Sequence, residues 1–422
     1  MIVASGWHVR VNARVAQRKL YTKTCMYSFA IWLRKMSKQS RNMKTIAAVV
    51  IVIIIVIAGV AYYLTQMPSG PGPTTGQVKI AMILPGRTDD LAWNQAGYES
   101  FTTVLTTYGE GINTCGCWVQ NHQEKAQIQA DVRDFASKGY KLIIGHGFEF
   151  QVPIQEIASQ YPDVSFLVIA GWNNSLPNLA IADVRTDQTG YVLGYLAGRM
   201  TQSNKIGYIM GARVAELARF EPNFAKGASD ANPNIVYAYG PLTGGGNGIQ
   251  PGGSISVVAV GDFHDLQGAK ADAELMASQG VDVLAVMGDG VVRGAIEGAI
   301  DKNIKLIGNG VDIADSPPVG AEKLTIGSGS WKWDKVMQAW LTDVAASKRN
   351  SKYWADLASG GLEIELNKDN VPAAVQQDVL NAEAKVKSGE VKTDPLGPLM
   401  IANPLASVQT GFIALVLQQL RE

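Results

Sequence analysis

Two short apolar stretches, VSFLVIA at residues 164–170 and VDVLAVM at residues 281–287, decide the fold class of this chain of 422 residues. Each is a near-continuous hydrophobic run of strand length, which is typical of parallel strands buried on both faces of a sheet. Five more runs of this kind lie in the body of the chain, at residues 78–84, 141–145, 179–184, 206–210 and 304–308. These runs predict a series of buried parallel strands.

Helical patterns lie between the predicted strands. They are found at residues 93–107, 125–138, 152–160, 190–201, 216–230, 267–279, 291–302 and 334–347. The alternation of strand and helix is typical of an open α/β fold with a parallel sheet. Because roughly 300 residues exceed one comfortable hydrophobic core, we predict two similar, doubly wound lobes with a hinge.

The predicted lobes have the following bounds. Lobe 1 comprises residues 77–186 and about 312–345, and lobe 2 comprises residues 187–311 and about 346–398. A Pro/Gly-rich linker at residues 66–76, which includes PSGPGPTTG, precedes them and predicts an extended tether. Residues 399–422 are a C-terminal tail, whose role the sequence leaves open.

The N-terminal region predicts a membrane anchor. Residues 46–64 (IAAVVIVIIIVIAGVAYYL) are 19 residues without a charge. At about 1.5 Å per residue, such a helix just spans a bilayer core of about 30 Å. Residues 1–44 carry ten Lys and Arg and no Asp or Glu, so the positive-inside rule keeps them cytoplasmic and exports the rest. We predict an uncleaved signal anchor at residues 45–65, with a cleaved signal peptide and a start at Met43 as alternatives.

Charge and composition exclude several classes of function. After Lys44 the chain has 27 bases and 37 acids, a net charge of −10, which makes nucleic-acid binding a poor candidate. Three cysteines (Cys25, Cys115 and Cys117) do not make a disulfide scaffold, and four histidines have no metal-ligand spacing. We therefore predict no metal and no cofactor. The state of Cys115 and Cys117 stays open.

The candidate site lies at the carboxyl ends of the predicted strands. Ligands of open α/β sheets bind there, and the residues that follow these strands are rich in Trp, Phe, Asp and Asn. The candidate ligand-binding residues are Asp90, Trp93, Asn94, Phe148, Phe220, Asp289, Asp312, Trp331, Lys332 and Trp333. They point to a binding cleft, because the loops contain no recognisable catalytic set.

Structural roles are the alternative for several of these residues. Trp93 and Phe220 could be helix core residues, and Asp90 could be an N-cap. The WKW triplet at residues 331–333 is harder to explain in this way, because two exposed Trp side chains would be costly. His146 is expected to be structural, since it lies between two glycines that favour close backbone packing.

Ordered motifs carry a resemblance to a known family. DLAWNQAGY at residues 90–98, IIGHGFEF at residues 143–150 and TDQTGYVLGYLAGRM at residues 186–200 resemble the basic membrane protein (BMP) family. Members are substrate-binding proteins of ABC importers, including purine-nucleoside receptors, and the resemblance covers about residues 77–390. It implies a type I periplasmic binding protein fold, with two lobes joined by three crossovers around the ligand.

The resemblance also implies roles for individual residues. Trp93 and Phe220 would sandwich a base, Asp312 and Lys332 would hold ribose hydroxyls, and Asn94 and Asp289 would contact base edges. Stacking on an aromatic ring is worth about 1–3 kcal/mol per base. The sequence departs from nucleoside receptors at two strand ends, where Leu84-Pro85 and Ala170 stand in place of acidic residues.

The predicted function is capture of a small solute outside the cytoplasm for an ABC importer. The ligand would be a purine nucleoside or nucleobase, and the partners would be the permease and ATPase subunits. The protein would be a single-pass protein of the cell membrane with its binding domain outside. An extracellular sensing domain of a signalling system and a nucleoside hydrolase are the alternatives, and the hydrolase lacks a base–nucleophile pair.

Overall fold

Two six-stranded sheets organise the computed structural model, which describes residues 79–107, 115–236, 253–314 and 318–393. The strands are β1 (Ile80–Ile83), β2 (Trp118–Val119), β3 (Leu142–His146), β4 (Ser165–Ile169), β5 (Leu179–Val184), β6 (Ile206–Met210), β7 (Ile255–Ala259), β8 (Val283–Met287), β9 (Lys305–Gly310), β10 (Thr325–Trp331), β11 (Lys352–Ala355) and β12 (Leu362–Leu366). The helices are α1 (Trp93–Thr107), α2 (Lys125–Ser137), α3 (Gln151–Ile157), α4 (Thr186–Met200), α5 (Ala215–Ala231), α6 (Leu266–Ser278), α7 (Asp289–Lys302), α8 (Ala321–Leu324), α9 (Trp333–Ala345) and α10 (Ala373–Lys387).

Each sheet is the centre of one lobe. The first has the strand order β11-β5-β4-β3-β1-β2 and is parallel throughout. The second has the order β12-β10-β9-β8-β6-β7 and is parallel except for the antiparallel pair β10–β12. Strands β1, β3, β4, β6 and β8 are buried at every position, which explains their continuous apolar sequence. The prediction of two α/β lobes is confirmed.

The chain crosses between the sheets three times, after β5, after β10 and after β11. The last two crossings divide the C-terminal part differently from the predicted bounds. Strand β10, inside the span 312–345 expected in lobe 1, lies in the second sheet, and β11, inside the span 346–398 expected in lobe 2, lies in the first. Apolar runs locate strands but do not assign them to a sheet. Strand β10 is buried at all seven positions because it lies between β9 and β12.

The predicted anchor, linker and C-terminal tail lie outside the described residues, as does most of the Gly-rich stretch at 240–253. In the part of the chain that is described, no helix combines the length and the apolar character that crossing a membrane requires.

The turn at Cys115–Cys117, just before the edge strand β2, is held against lobe 1 by hydrogen bonds. Cys115 and Cys117, whose state the sequence left open, form a disulfide. The carbonyl of Cys117 accepts a hydrogen bond from the N–H of Met82 at 2.9 Å, and that of Cys115 accepts one from the Tyr140 hydroxyl at 2.8 Å. The turn is therefore fixed to strand β1 and to the residues before β3.

Helices α4 and α5 pack through glycines. Gly190, Gly194 and Gly198 recur every four residues, so they share one face of α4. A Cβ on Gly194 would lie 2.0 Å from the backbone oxygen of Phe224, and one on Gly227 of α5 would lie 2.0 Å from that of Tyr191. The two backbones therefore approach more closely than any side chain allows.

We expect Gly194→Ala to lower the free energy of unfolding by about 3 kcal/mol, because a backbone atom of α5 would have to move to make room for the new Cβ. This value is at the upper end of what overpacking a core usually costs. The measurement is urea unfolding of the empty protein. Gly290→Ala is the control, since its Cβ would meet its nearest neighbours at 3.2 Å and should cost much less. Equal unfolding midpoints for both variants would contradict the close approach of α4 and α5.

Candidate functional site

A cavity of about 140 Å³ lies between the lobes, at the carboxyl ends of strands from both sheets. The residues that line it follow strands of the first sheet (Pro85, Gly147, Phe148, Glu149, Ala170) or of the second (Val214, Glu216, Leu217, Phe263, His264, Gly288, Asp289), together with Ala92, Trp93, Gln123 and Trp331. Its position is the one expected for a ligand site in an open α/β fold.

Trp93 forms a fixed, half-buried wall of the cavity. Its ring stacks on the His146 imidazole, with a centroid distance of 4.6 Å and an interplanar angle of 27°. Its indole Nε1–H donates to the backbone oxygen of His146 at 2.9 Å. The rings of Trp331 and Trp333 meet it edge-on at 5.5 and 5.6 Å. The indole is thus oriented before any ligand arrives.

His146 has the structural role expected from its glycine neighbours. The ring is fully buried, and Nε2 lies 2.9 Å from the backbone oxygen of Trp93, so Nε2 must carry the proton and donate it. Burial lowers the pKa of His146 to about 4, and the hydrogen bond to Trp93 only partly opposes this shift. The imidazole is therefore neutral at physiological pH. A Cβ on Gly97 would lie 2.4 Å from Nε2, so α1 can reach this ring only through a glycine.

Phe220 does not lie opposite Trp93. It is 0% exposed and packs in lobe 2 against Tyr208 and Phe224, with centroid distances of 4.8 and 5.2 Å. The structure therefore does not form the expected sandwich of Trp93 and Phe220, because this face of α5 is turned towards the second sheet.

Phe263 is an aromatic residue that lobe 2 contributes to the cavity in addition to Trp331 of β10, and sequence reasoning missed it. It follows β7, a strand that was not predicted. The Gly-rich stretch before β7 obscured the start of its apolar run, ISVVA. Phe148, by contrast, lines the cavity as expected and is 40% exposed.

Asp90 and Asn94 organise the loop between β1 and α1. The Asp90 carboxylate accepts hydrogen bonds from the backbone N–H groups of Ala92, Asn94 and Gln95 at 2.9–3.0 Å. Asp90 therefore caps the N-terminus of α1, which is the structural role that the sequence offered for it. Asn94 is fully buried; its Oδ1 accepts from the N–H of Gly86 at 2.9 Å, and its Nδ2 donates to Asp90 at 2.7 Å. Both ends of the amide are thus engaged within the protein, and neither Asp90 nor Asn94 lines the cavity.

Asp312 and Lys332 lie near each other, in a polar cluster beside β12 and away from the cavity lining. The Lys332 ammonium lies 3.0 Å from Glu365 and 3.3 Å from Glu363. Asp312 accepts a hydrogen bond from the Ser328 hydroxyl at 3.0 Å. Neither side chain is therefore part of the cavity lining, and the role that the resemblance gives both residues, holding ribose hydroxyls, stays a prediction. Both residues follow strand ends, but their side chains turn towards the antiparallel edge of the sheet.

The two tryptophans of the WKW triplet lie in different surroundings, Trp331 in the cavity lining and Trp333 in the core. Trp331 lines the cavity, and its indole Nε1–H donates to Asn309 at 3.2 Å. Trp333 is fully buried at the start of α9 and packs edge-on against the Trp93 ring. Because the chain crosses between the sheets here, the triplet joins both lobes to the aromatic wall.

Three acidic residues line the cavity. Asp289 is one of the predicted site residues; Glu149 and Glu216 are not, although Glu149 lies in the motif IIGHGFEF at residues 143–150. Burial raises the pKa of Glu149 to about 7, with a contribution from the charge of Glu216. Burial also raises the pKa of Glu216 to about 7, with a contribution from Asp183. The pKa of Asp289 is raised by burial, by Asp90 and by Glu149.

A buried ion pair joins the lobes beside the cavity. The Arg219 guanidinium of α5 donates to both carboxylate oxygens of Asp183 on β5, at 2.5 and 2.9 Å, and to the backbone oxygen of Val184 at 2.7 Å. The Trp354 ring lies 5.6 Å from the guanidinium. This contact lies where the chain first crosses between lobes, so it fixes the hinge side of the cleft.

Comparison with known proteins identifies one family. Residues 77–240 and 247–395 match Bmp, described as "ABC transporter substrate-binding protein PnrA-like". A purine-binding protein of Brucella abortus (strain 2308) is 25% identical over 316 residues, which are 75% of this chain and 82% of that protein. The ABC transporter nucleoside-binding protein BmpA of Lactococcus lactis subsp. cremoris is 23% identical over 342 residues, 75% of this chain and 90% of that protein.

The fold has solved counterparts. The structure of an ABC transporter solute-binding protein from Conexibacter woesei superposes with a TM-score of 0.61 at 22% sequence identity. It covers 76% of this chain and 99% of its own. The likeness confirms the expected fold class of a two-lobed binding protein.

We expect Phe220→Ala to lower the free energy of unfolding by about 3–5 kcal/mol, because it removes a fully buried aromatic ring. Phe148→Ala is the matched control, since that ring is 40% exposed and its removal should change stability little. Both are measured by denaturant unfolding of the empty protein. If Phe220→Ala unfolds at the same urea concentration as the parent, the ring is not part of the core.

Proposed function

We propose, from the premise that this chain belongs to the Bmp family of PnrA-like ABC transporter substrate-binding proteins, that its ligand is a purine nucleoside or nucleobase. The family works outside the cytoplasm and delivers small molecules to ABC permeases; it is not a family of enzymes. The relatives in Brucella and Lactococcus bear the names of purine-binding and nucleoside-binding proteins. The proposal extends that ligand class to this chain.

The observation that carries the proposal is the aromatic lining of the cavity. The Trp93 ring is held in place by its stack on the His146 imidazole. The other aromatic residues that line the cavity are Phe148, Phe263 and Trp331. A flat ring system gains about 1–3 kcal/mol per stacked base from such a surface. The second ring of the sandwich would then be Phe263 of lobe 2, in place of Phe220.

Ligand entry requires the lobes to move apart. The cavity of about 140 Å³ is smaller than the pockets of about 300 Å³ and more that enclose drug-sized molecules. The arrangement fits a cleft that opens to admit the solute and closes over it, with the three crossovers as hinge. The permease and ATPase subunits would then receive the closed, loaded form.

We expect Trp93→Ala and Phe263→Ala each to weaken binding of purine nucleosides or bases at least tenfold, in line with the loss of one stacked ring. The test is isothermal titration with adenosine, inosine, guanosine and their free bases. Trp118→Ala is the control, because this half-buried Trp lies in lobe 1 outside the cavity.

Sugars are the competing ligand class, since carboxylates and aromatic faces also suit sugar hydroxyls and rings. D-glucose and D-ribose therefore belong in the same titration. Tight binding of a sugar, with no heat from any purine, would refute the purine proposal and leave the family assignment intact.

We also propose that residues 45–65 anchor the protein in the cell membrane and that the tether at 66–76 carries the binding domain outside. Nineteen uncharged residues at positions 46–64, preceded by ten bases, support this topology. The expected result is that the mature protein stays with the membrane fraction in high salt and is released by detergent. A mature N-terminus beyond Leu64 would show instead that the segment is a cleaved signal.

A further inference from the structure

Helical N-termini converge on the cavity, and each carries a carboxyl group of the protein itself. Asp90 caps α1, and Glu149 lies in the short 3₁₀ turn Phe148–Phe150 before α3. Glu216 lies in the first turn of α5, and Asp289 is the first residue of α7. Free helix N-termini attract anions such as phosphate groups. Here the protein's own carboxyl groups take the place that an anionic ligand would occupy.

The lining of the cavity is correspondingly acidic. Glu149, Glu216 and Asp289 line it, and His264 is the one basic side chain among the described lining residues. Glu216 is only 7% exposed, and the guanidinium nearest to it along α5, that of Arg219, is paired with Asp183. A buried carboxylate without an ion-pair partner is costly, so donors from a ligand would offset that cost.

We infer that Glu149 and Glu216 make this cleft selective for solutes with paired N–H donors and unfavourable for phosphorylated solutes. Among purines, the edge that fits is that of guanine, where the ring N1–H and the exocyclic amino group point the same way. A carboxylate accepts two such parallel N–H groups in the geometry it uses for the Arg guanidinium. The choice of purine rests on the proposed function, whereas the requirement for donors rests on the acidic lining alone.

The two carboxyl groups belong to different lobes, Glu149 to lobe 1 and Glu216 to lobe 2. Their charges oppose each other in the closed cleft, and each adds to the cost of ionising its neighbours. A donor-rich ligand between them relieves this repulsion, and it therefore binds the closed form better than the open one. The same groups that select the ligand would then couple its binding to closure.

This coupling gives a pH dependence with a defined sign. Burial raises the pKa of both Glu149 and Glu216 to about 7, so both are largely protonated in the empty protein below that pH. The charged or titratable groups around them are Asp90, Asp183, Arg219, His264 and Asp289. A ligand that donates to carboxylates gains affinity as they ionise, so binding strengthens as the pH rises through 7 and then levels off.

The test is titration of the full protein with guanosine, inosine and guanosine 5′-monophosphate at about pH 6 and about pH 8. We expect guanosine to bind at least tenfold more tightly than inosine at the higher pH, which is the value of a charge-assisted hydrogen bond. The nucleotide should bind at least tenfold more weakly than guanosine. The affinity for guanosine should rise about tenfold between the two pH values, as one carboxyl of pKa about 7 ionises.

Two variants and a control identify the groups responsible. Glu149→Gln and Glu216→Gln should each reduce the preference for guanosine over inosine and flatten the pH dependence, because an amide neither ionises nor accepts two parallel donors. Glu322→Gln should change neither, since this exposed acid also caps a helix start, accepting from Gly320 at 2.8 Å, but lies outside the cavity.

The outcomes separate this inference from the proposed function. Equal binding of guanosine, inosine and the nucleotide, unchanged in both variants, would overturn the inference and leave the purine proposal standing. If no purine binds while benzamidine binds with the stated pH dependence and loses affinity in the variants, the purine proposal fails and the inference holds. Binding of neither purines nor benzamidine by the folded protein would overturn both.

Discussion

The neutral His146 ring beneath Trp93 is the contact on which the cavity depends. It brings together the end of β3, the start of α1 and, through Trp331 and Trp333, the point where the chain crosses between lobes. The stacked imidazole is uncharged, because complete burial lowers its pKa to about 4. The stack requires a glycine on α1, because any Cβ at Gly97 would overlap the ring. A flat, preset binding surface thus results from packing deep in lobe 1, before any ligand is involved.

The ion pair of Arg219 and Asp183 is the second contact that shapes the cavity, and it lies on the hinge side of the cleft. It joins the lobes at the first crossover, and its two charges act on Glu216 in opposite directions, because Asp183 raises the pKa of that carboxyl group and Arg219 lowers it. The charge of the cavity therefore depends on the hinge as well as on the residues that line it. Breaking this pair would change the domain connection and the charge of the cleft together. For this reason its removal is a poor way to study either one.

Much of the fold was predictable, because a strand buried on both faces must be apolar throughout, as VSFLVIA and VDVLAVM are. The assignment of β10 to the second sheet and of β11 to the first was not predictable, because burial constrains the composition of a strand but not which strands pair with it. The sequence predicted the loops that line the cavity, and of the predicted residues Trp93, Phe148, Asp289 and Trp331 are part of its lining. Phe220 shows the limit of that reasoning. A phenylalanine on a helix near a strand end fits a core and a cleft equally well, and only the rotation of α5 decides between them.

Glu149 and Glu216 were missed for a related reason: a single acid at the start of a helix is an ordinary sequence feature. What makes them unusual is convergence, because three strand–helix junctions from two lobes bring carboxyl groups to one small volume. Such a volume is electrostatically unfavourable when empty, and protonation relieves it, as the raised pKa values of both residues indicate. Once the carboxyl groups ionise, a ligand with N–H donors would reduce the repulsion between them, and an anionic ligand would increase it. In the closing cleft proposed above, closure would then depend on the chemistry of the ligand as well as on its shape.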